Sequence, residues 1–95
     1  MPKGYWIGHI TVKDPDAYER YKSANSVPFE KYGGRFLVRG GQFQCLAGQA
    51  RERHVVIEFD SLETALACYN SPEYREAQKY QTGSSENDII VIEGI

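Results

Sequence analysis

Runs of lysine and arginine, long apolar stretches and metal-type spacings are all missing from this sequence. Its 11 Lys and Arg and 13 Asp and Glu are interspersed, for a formal net charge of −2. With no basic stripe to follow a phosphate backbone, nucleic-acid binding is not expected. With no apolar run long enough to span a bilayer, membrane insertion is not expected either. The first six residues, Met1 to Trp6, lack a signal-type apolar region, so the expected location is cytoplasmic. Cysteine occurs only at Cys45 and Cys68, a separation that fits no metal site. Both read as small buried apolar residues. A disulfide between them stays open, although a lone bridge is unusual in a cytosolic protein. There is no phosphate-binding glycine loop and no nucleophile elbow, and Gly40-Gly41 does not precede a helix. No cofactor and no metal are therefore expected.

What the chain does have is aromatic residues and a regular alternation of element types. Its 95 residues suggest one domain, 1–95. Gly4 to Lys13 reads as a strand, with Tyr5, Ile7, His9 and Thr11 on one face. Asp14-Pro15 reads as a helix start, with Pro28 expected to kink or restart the helix and Ser26 available as a fresh cap. Gly33 stands where a helix end needs a left-handed residue. Arg35 to Arg39 is a short strand, Gly40-Gly41 a bulge or bend, and Gln42 to Leu46 a second extended piece. Arg53 to Phe59 is a strong strand. Asp60 is expected to cap the next helix, with Glu63 in a capping-box position. That helix breaks at Asn70 and restarts at Ser71-Pro72, and Asn87 to Glu93 is the last strand. The order βαββαβ is a ferredoxin-like α+β pattern: a four-stranded antiparallel sheet with two helices on one face.

Such a sheet leaves its second face bare. Alternation puts Val55, Ile57 and Phe59 under the helices and His54, Val56 and Glu58 on the bare face. On the second strand it puts Phe36 and Val38 inward and Arg35, Leu37 and Arg39 outward. The last strand offers either Ile89 and Val91 or Ile90 and Ile92. In either register the bare face is too apolar for water, and a homodimer formed through it is the simplest cover.

The segments YWIGHITVKDPDAYERY, YGGRFLVRGG, VVIEFDSLETALACYNSPEY and DIIVIEGI together resemble the domain-of-unknown-function family thirteen-thirty, over almost the whole chain. The resemblance implies a dimeric α+β barrel, in which two ferredoxin-like sheets pack together. Relatives in that superfamily include cofactor-independent monooxygenases, small isomerases and decarboxylases, haem-degrading enzymes and simple ligand binders. Those that degrade haem use a histidine on the second helix, and Leu62 to Gln81 contains none. Members of the family commonly carry an arginine just after that helix. Here the stretch is Lys79-Tyr80-Gln81-Thr82-Gly83, so Gln81 stands in its place without the charge.

Two sets of residues carry the functional expectation. As candidate catalytic groups stand His9, a base near neutral pH, the pair Arg39 and Glu58 on neighbouring strands, and Tyr74 in the SPEY motif. Trp6, Tyr18, Tyr21, Tyr69 and Gln81 are candidate ligand-binding groups. For Arg39 and Glu58 a structural ion pair weighs slightly more than a clamp on a carboxylate or enolate. For His9, Trp6 and the tyrosines, a packing role is the more frequent outcome. The expectation is a cofactor-independent enzyme acting on a small oxygenated organic compound. The alternative is a dimer module that binds a small ligand or a protein without catalysis.

Overall fold

The computed structural model of the chain describes residues 2–95. Its elements are β1 Gly4–Val12, α1 Pro15–Lys31, β2 Arg35–Arg39, β3 Arg53–Phe59, α2 Leu62–Tyr69, α3 Pro72–Gln81 and β4 Ser85–Glu93. The strands form one antiparallel sheet in the order β2-β3-β1-β4. This is the expected α+β architecture, with the second helix divided in two.

Local chemistry explains most boundaries. Asp14 Oδ1 accepts from the Ala17 amide at 3.2 Å and opens α1. Pro28 does not restart that helix, which runs unbroken from Pro15 to Lys31. It lies one turn from the end, where little of the hydrogen-bond ladder remains to be lost, and Ser26 donates to Ser23 O at 2.8 Å instead of capping. Gly33, at φ 71°, reverses the chain, and the Gly34 amide donates back to Phe29 O at 2.8 Å. The cap of α2 is Ser61, not Asp60. Ser61 Oγ accepts from the Thr64 amide at 3.1 Å, whereas Asp60 pairs with Lys3 at 3.5 Å. Ser71 caps α3 as its sequence suggests, accepting from the Tyr74 amide at 3.1 Å.

The core lies between helices and sheet. Trp6, Ile10, Val55, Ile57 and Phe59 come from the sheet, and Tyr18, Tyr21, Phe29, Cys68, Tyr74 and Ala77 from the helices. Burial pushes the Cys68 thiol up to about 12, so it is an inert packing group. Cys45 was expected to be buried as well, but it is exposed in the loop between β2 and β3. That loop also replaces the expected extended piece at Gln42 to Leu46, which pairs with no strand.

One irregularity decides where the arginines go. The β2–β3 register runs Arg35 to Glu58 and Phe36 to Ile57, then Val38 to Val56 and Arg39 to Val55. Leu37 is the extra residue of a β-bulge. The expected parity holds before the bulge and reverses after it. Val38 therefore shares the bare face with Val56, while Arg39 shares the helix side with Val55.

The bare face is as apolar as alternation indicates. Across β1 and β4, Tyr5 faces Ile92 and Ile7 faces Ile90. Val38, Ile90 and Ile92 are 41%, 53% and 50% exposed, too much for three aliphatic side chains gathered on one surface.

Candidate functional site

The helix side of the sheet holds a narrow aromatic pocket. The stripe Tyr18, Tyr21, Lys22 and Asn25, at helical spacing on α1, forms one wall. Trp6, Phe36 and Val55 on the strands form the opposite wall, and Gln81 at the end of α3 lies at one side. The enclosed space is about 20 Å³, room for about one water molecule.

Behind the pocket runs a chain of phenols. The hydroxyls of Tyr21 and Tyr74 lie 2.8 Å apart, and Tyr74 Oη donates to Gln81 Oε1 at 3.4 Å. With its proton directed to Gln81, Tyr74 accepts from Tyr21. Trp6 packs edge-on against Tyr74 with ring centroids 4.9 Å apart, and Tyr69 lies 5.3 Å from the Tyr74 ring. Tyr69 itself faces a separate shallow groove with Gln78 and Asn87. Burial pushes the Tyr21 phenol up to about 12, with the neighbouring Tyr74 and Asn25 side chains pulling the other way. Burial raises Tyr74 still further. Both phenols are hydrogen-bonding groups and neither can serve as a base at neutral pH.

At the mouth stand two arginines. Arg39 lays its guanidinium over the Phe36 ring, 4.2 Å from the centroid, and Arg53 lies 5.7 Å from the Tyr18 centroid. Burial raises the Tyr18 phenol, and the nearby positive charge of Arg53, and then of Arg39, draws it back down. Neither arginine has an acidic partner among the described residues. Arg53 packs against Gly40, where a side-chain carbon would overlap its Nη1. Gly40 also has φ 70°. Gly40 thus serves both a backbone turn and a close approach.

The candidate catalytic residues are not brought together. Arg39 and Tyr74 lie on the helix side, whereas His9 and Glu58 lie on the bare face. The expected Arg39–Glu58 pair does not form, because the bulge turns Arg39 away. Glu58 is held instead by Arg35 Nη2 and by the Tyr5 hydroxyl at 3.1 Å. The hydrogen bond from Arg35 is the main reason its carboxyl titrates below the usual range. His9 Nδ1 meets His54 Nδ1 at 2.8 Å across β1 and β3, and His54 packs against Phe43 of the loop. Among the described residues no group of three His, Cys, Asp or Glu is placed to hold a metal. Of the expected ligand-binding residues, Trp6, Tyr18, Tyr21 and Gln81 line the pocket, and Tyr69 stands behind it.

Three polar or charged pocket residues were not among the expected site residues: Arg53, Lys22 and Asn25. A signal for each was present. Arg53 has the same strand parity as Val55, Ile57 and Phe59, an odd place for a charge. Lys22 and Asn25 lie four residues after Tyr18 and Tyr21, on the same helix face.

The family defined by a domain of unknown function, DUF1330, matches residues 3–95. The chain belongs to that family. No curated protein matches it. Among solved structures, a Rhodopseudomonas palustris protein of unknown function is 18% identical, with a TM-score of 0.80 over 99% of this chain and 83% of that one. A dimeric ferredoxin-like protein of unknown function from Thermobifida fusca is also 18% identical, with a TM-score of 0.65 over 97% and 91%. SnoaB, a cofactor-independent oxygenase from Streptomyces nogalater, is 12% identical, with a TM-score of 0.64 over 97% and 92%. At these identities the likenesses speak for the ferredoxin-like fold. Among the described residues of this DUF1330 chain, no helix is long and apolar enough to cross a membrane.

Proposed function

We propose that this chain forms a homodimer through its bare sheet face and binds a small organic molecule in the pocket between helices and sheet. The observation that carries the binding reading is the pocket's composition: aromatic walls with a few convergent polar groups, Tyr18, Tyr21, Asn25 and Gln81. No carboxylate and no imidazole lines it. The site is therefore built to hold and orient a molecule rather than to take a proton from it. With so little enclosed space, a ligand enters by displacing the side chains at the mouth, of which Arg39 is the most exposed.

The dimer reading draws on the exposed aliphatic residues of the bare face and on the dimeric assembly of the Thermobifida fusca relative in fold. In such a dimer the Arg35–Glu58 pair and the facing histidines lie at the interface, away from the pocket.

A thermal-shift screen with small metabolites tests the binding reading. Hits are expected to change the fluorescence of Trp6, the chain's one tryptophan. Hits that raise the melting temperature and leave Trp6 unchanged would count against this pocket. A second reading is favoured by the fold shared with SnoaB: the bound compound is oxidised by oxygen without a cofactor. Oxygen uptake with each hit separates the two, since a binder consumes none.

A further inference from the structure

We infer that the ligand is a small organic carboxylate, its anionic head held at the pocket mouth between Arg39 and Arg53 and its apolar body lying on Trp6 and Phe36. This rests on the pocket being the ligand site, as proposed above.

The charge balance is the first argument. Arg39, Arg53 and Lys22 all line one small pocket, and no acid lines it with them. Lys22 has Glu19 at 2.9 Å, whereas the two arginines have no acidic partner among the described residues. Of the other arginines, Arg35 is held by Glu58 and Arg51 by Asp88 and Glu86, whereas Arg20 and Arg75, like the pocket pair, have no acidic partner among the described residues but line no pocket with a second arginine. Two unneutralised guanidinium groups over aromatic rings repel one another, and a bound anion removes that repulsion.

Hydrogen bonding is the second argument. Arg53 Nε is buried and has no partner, and its guanidinium packs against Gly40. A buried donor left unmade is costly, and a carboxylate oxygen supplies the missing acceptor. Asn25 Oδ1 is likewise buried without a partner. It can accept from a hydroxyl on the body of the ligand.

The apolar wall is the third argument, and it selects among anions. Inorganic phosphate or sulfate would engage the arginines and make no use of the apolar lining, in which Trp6 and Val55 are buried and Phe36 is half-buried. A carboxylate on a compact apolar body meets the arginines and the Phe36 ring at once.

The test is Trp6 fluorescence during titration with monocarboxylates from acetate to phenylacetate, each beside its matched primary alcohol. Carboxylates with an apolar body are expected to give a saturable change at least about tenfold tighter than the alcohols. Arg39→Gln, a change of an exposed residue, should remove about tenfold of the carboxylate affinity and much less of the alcohol affinity. Arg53→Gln should do the same, and Arg39→Gln decides the matter if Arg53→Gln folds poorly. Alcohols binding as tightly as the acids would overturn the carboxylate assignment and leave the pocket reading intact. Silence from both series at Trp6 would overturn the pocket reading with it.

Discussion

Replacing Gly40 by alanine separates what the glycine does for the backbone from what it does for Arg53. Two other glycines serve as references. Gly33 has φ 71° and open space where a side chain would go, so Gly33→Ala carries backbone strain alone. For a left-handed residue that strain is about 1–2 kcal/mol. Gly41 has neither a positive φ nor any neighbour within 4 Å of an added carbon. Gly41→Ala should therefore be neutral, or stabilising by up to about 1 kcal/mol through the unfolded chain. Gly40 has φ 70°, and an added carbon would lie 2.9 Å from Arg53 Cζ. The guanidinium is the far end of a flexible side chain and can shift. The extra cost is then mainly its loosened contact with Tyr18, about 0.5–1 kcal/mol. Gly40→Ala should thus cost about 1.5–3 kcal/mol, the sum of strain and contact. In urea, with protein concentration held fixed, this lowers the unfolding midpoint by roughly 1 M. Gly40→Ala should also weaken carboxylate binding, which Gly33→Ala leaves alone. Equal midpoints for Gly40→Ala and Gly41→Ala would refute the reasoning. So would Gly40→Ala binding that matches the parent protein.

Three other outcomes follow from the geometry. Glu58 titrates lower when folded than when unfolded, because Arg35 and Tyr5 bond its ionised form. Its stabilising effect is present above the unfolded carboxyl pKa and is lost as pH falls through the folded one, so Glu58→Gln should flatten the acid limb of a stability–pH curve; an unchanged limb would refute this. Tyr21, at about 12, and Tyr74, higher still, stabilise the fold below the ordinary phenol pKa and cease to do so as pH rises through their folded values. Absorbance at 295 nm should show these two ionising only together with unfolding, and early titration of all seven tyrosines would count against the buried phenol chain. Light scattering at micromolar concentration should give twice the 10.8 kDa chain mass, and Ile90→Lys on the bare face should return it to one chain; a monomeric parent protein would remove the dimer.

The fold was legible because its signals are local. Asp14, Gly33, Ser71 and Pro72 each act within one turn of themselves, and the period-two pattern of β3 needs no knowledge of its neighbours. The errors lie where a distant partner decides. Asp60 and Ser61 are both good caps, and the choice falls to Ser61 while Asp60 pairs with Lys3 from another element. Glu58 could have met either arginine of β2, and strand parity alone favours both equally, since Arg35 and Arg39 lie four residues apart. The bulge at Leu37 breaks that symmetry, and nothing in the five residues Arg35–Arg39 announces it. Its consequence is functional as well as structural. Had Leu37 paired in regular alternation, Arg39 would stand on the bare face with Glu58 and the pocket mouth would lose one of its two unneutralised cations. With the bulge, one short strand supplies Arg35 to the bare face and Arg39 to the pocket. A deletion of Leu37 should therefore pair Phe36 with Ile57 and Val38 with Val56 without interruption, leave Arg39 opposite Val55, and retain carboxylate binding. Circular dichroism would report the intact sheet and Trp6 fluorescence the retained site. Lost binding in that folded variant would mean that the side of the sheet on which Arg39 stands is not what places the anion.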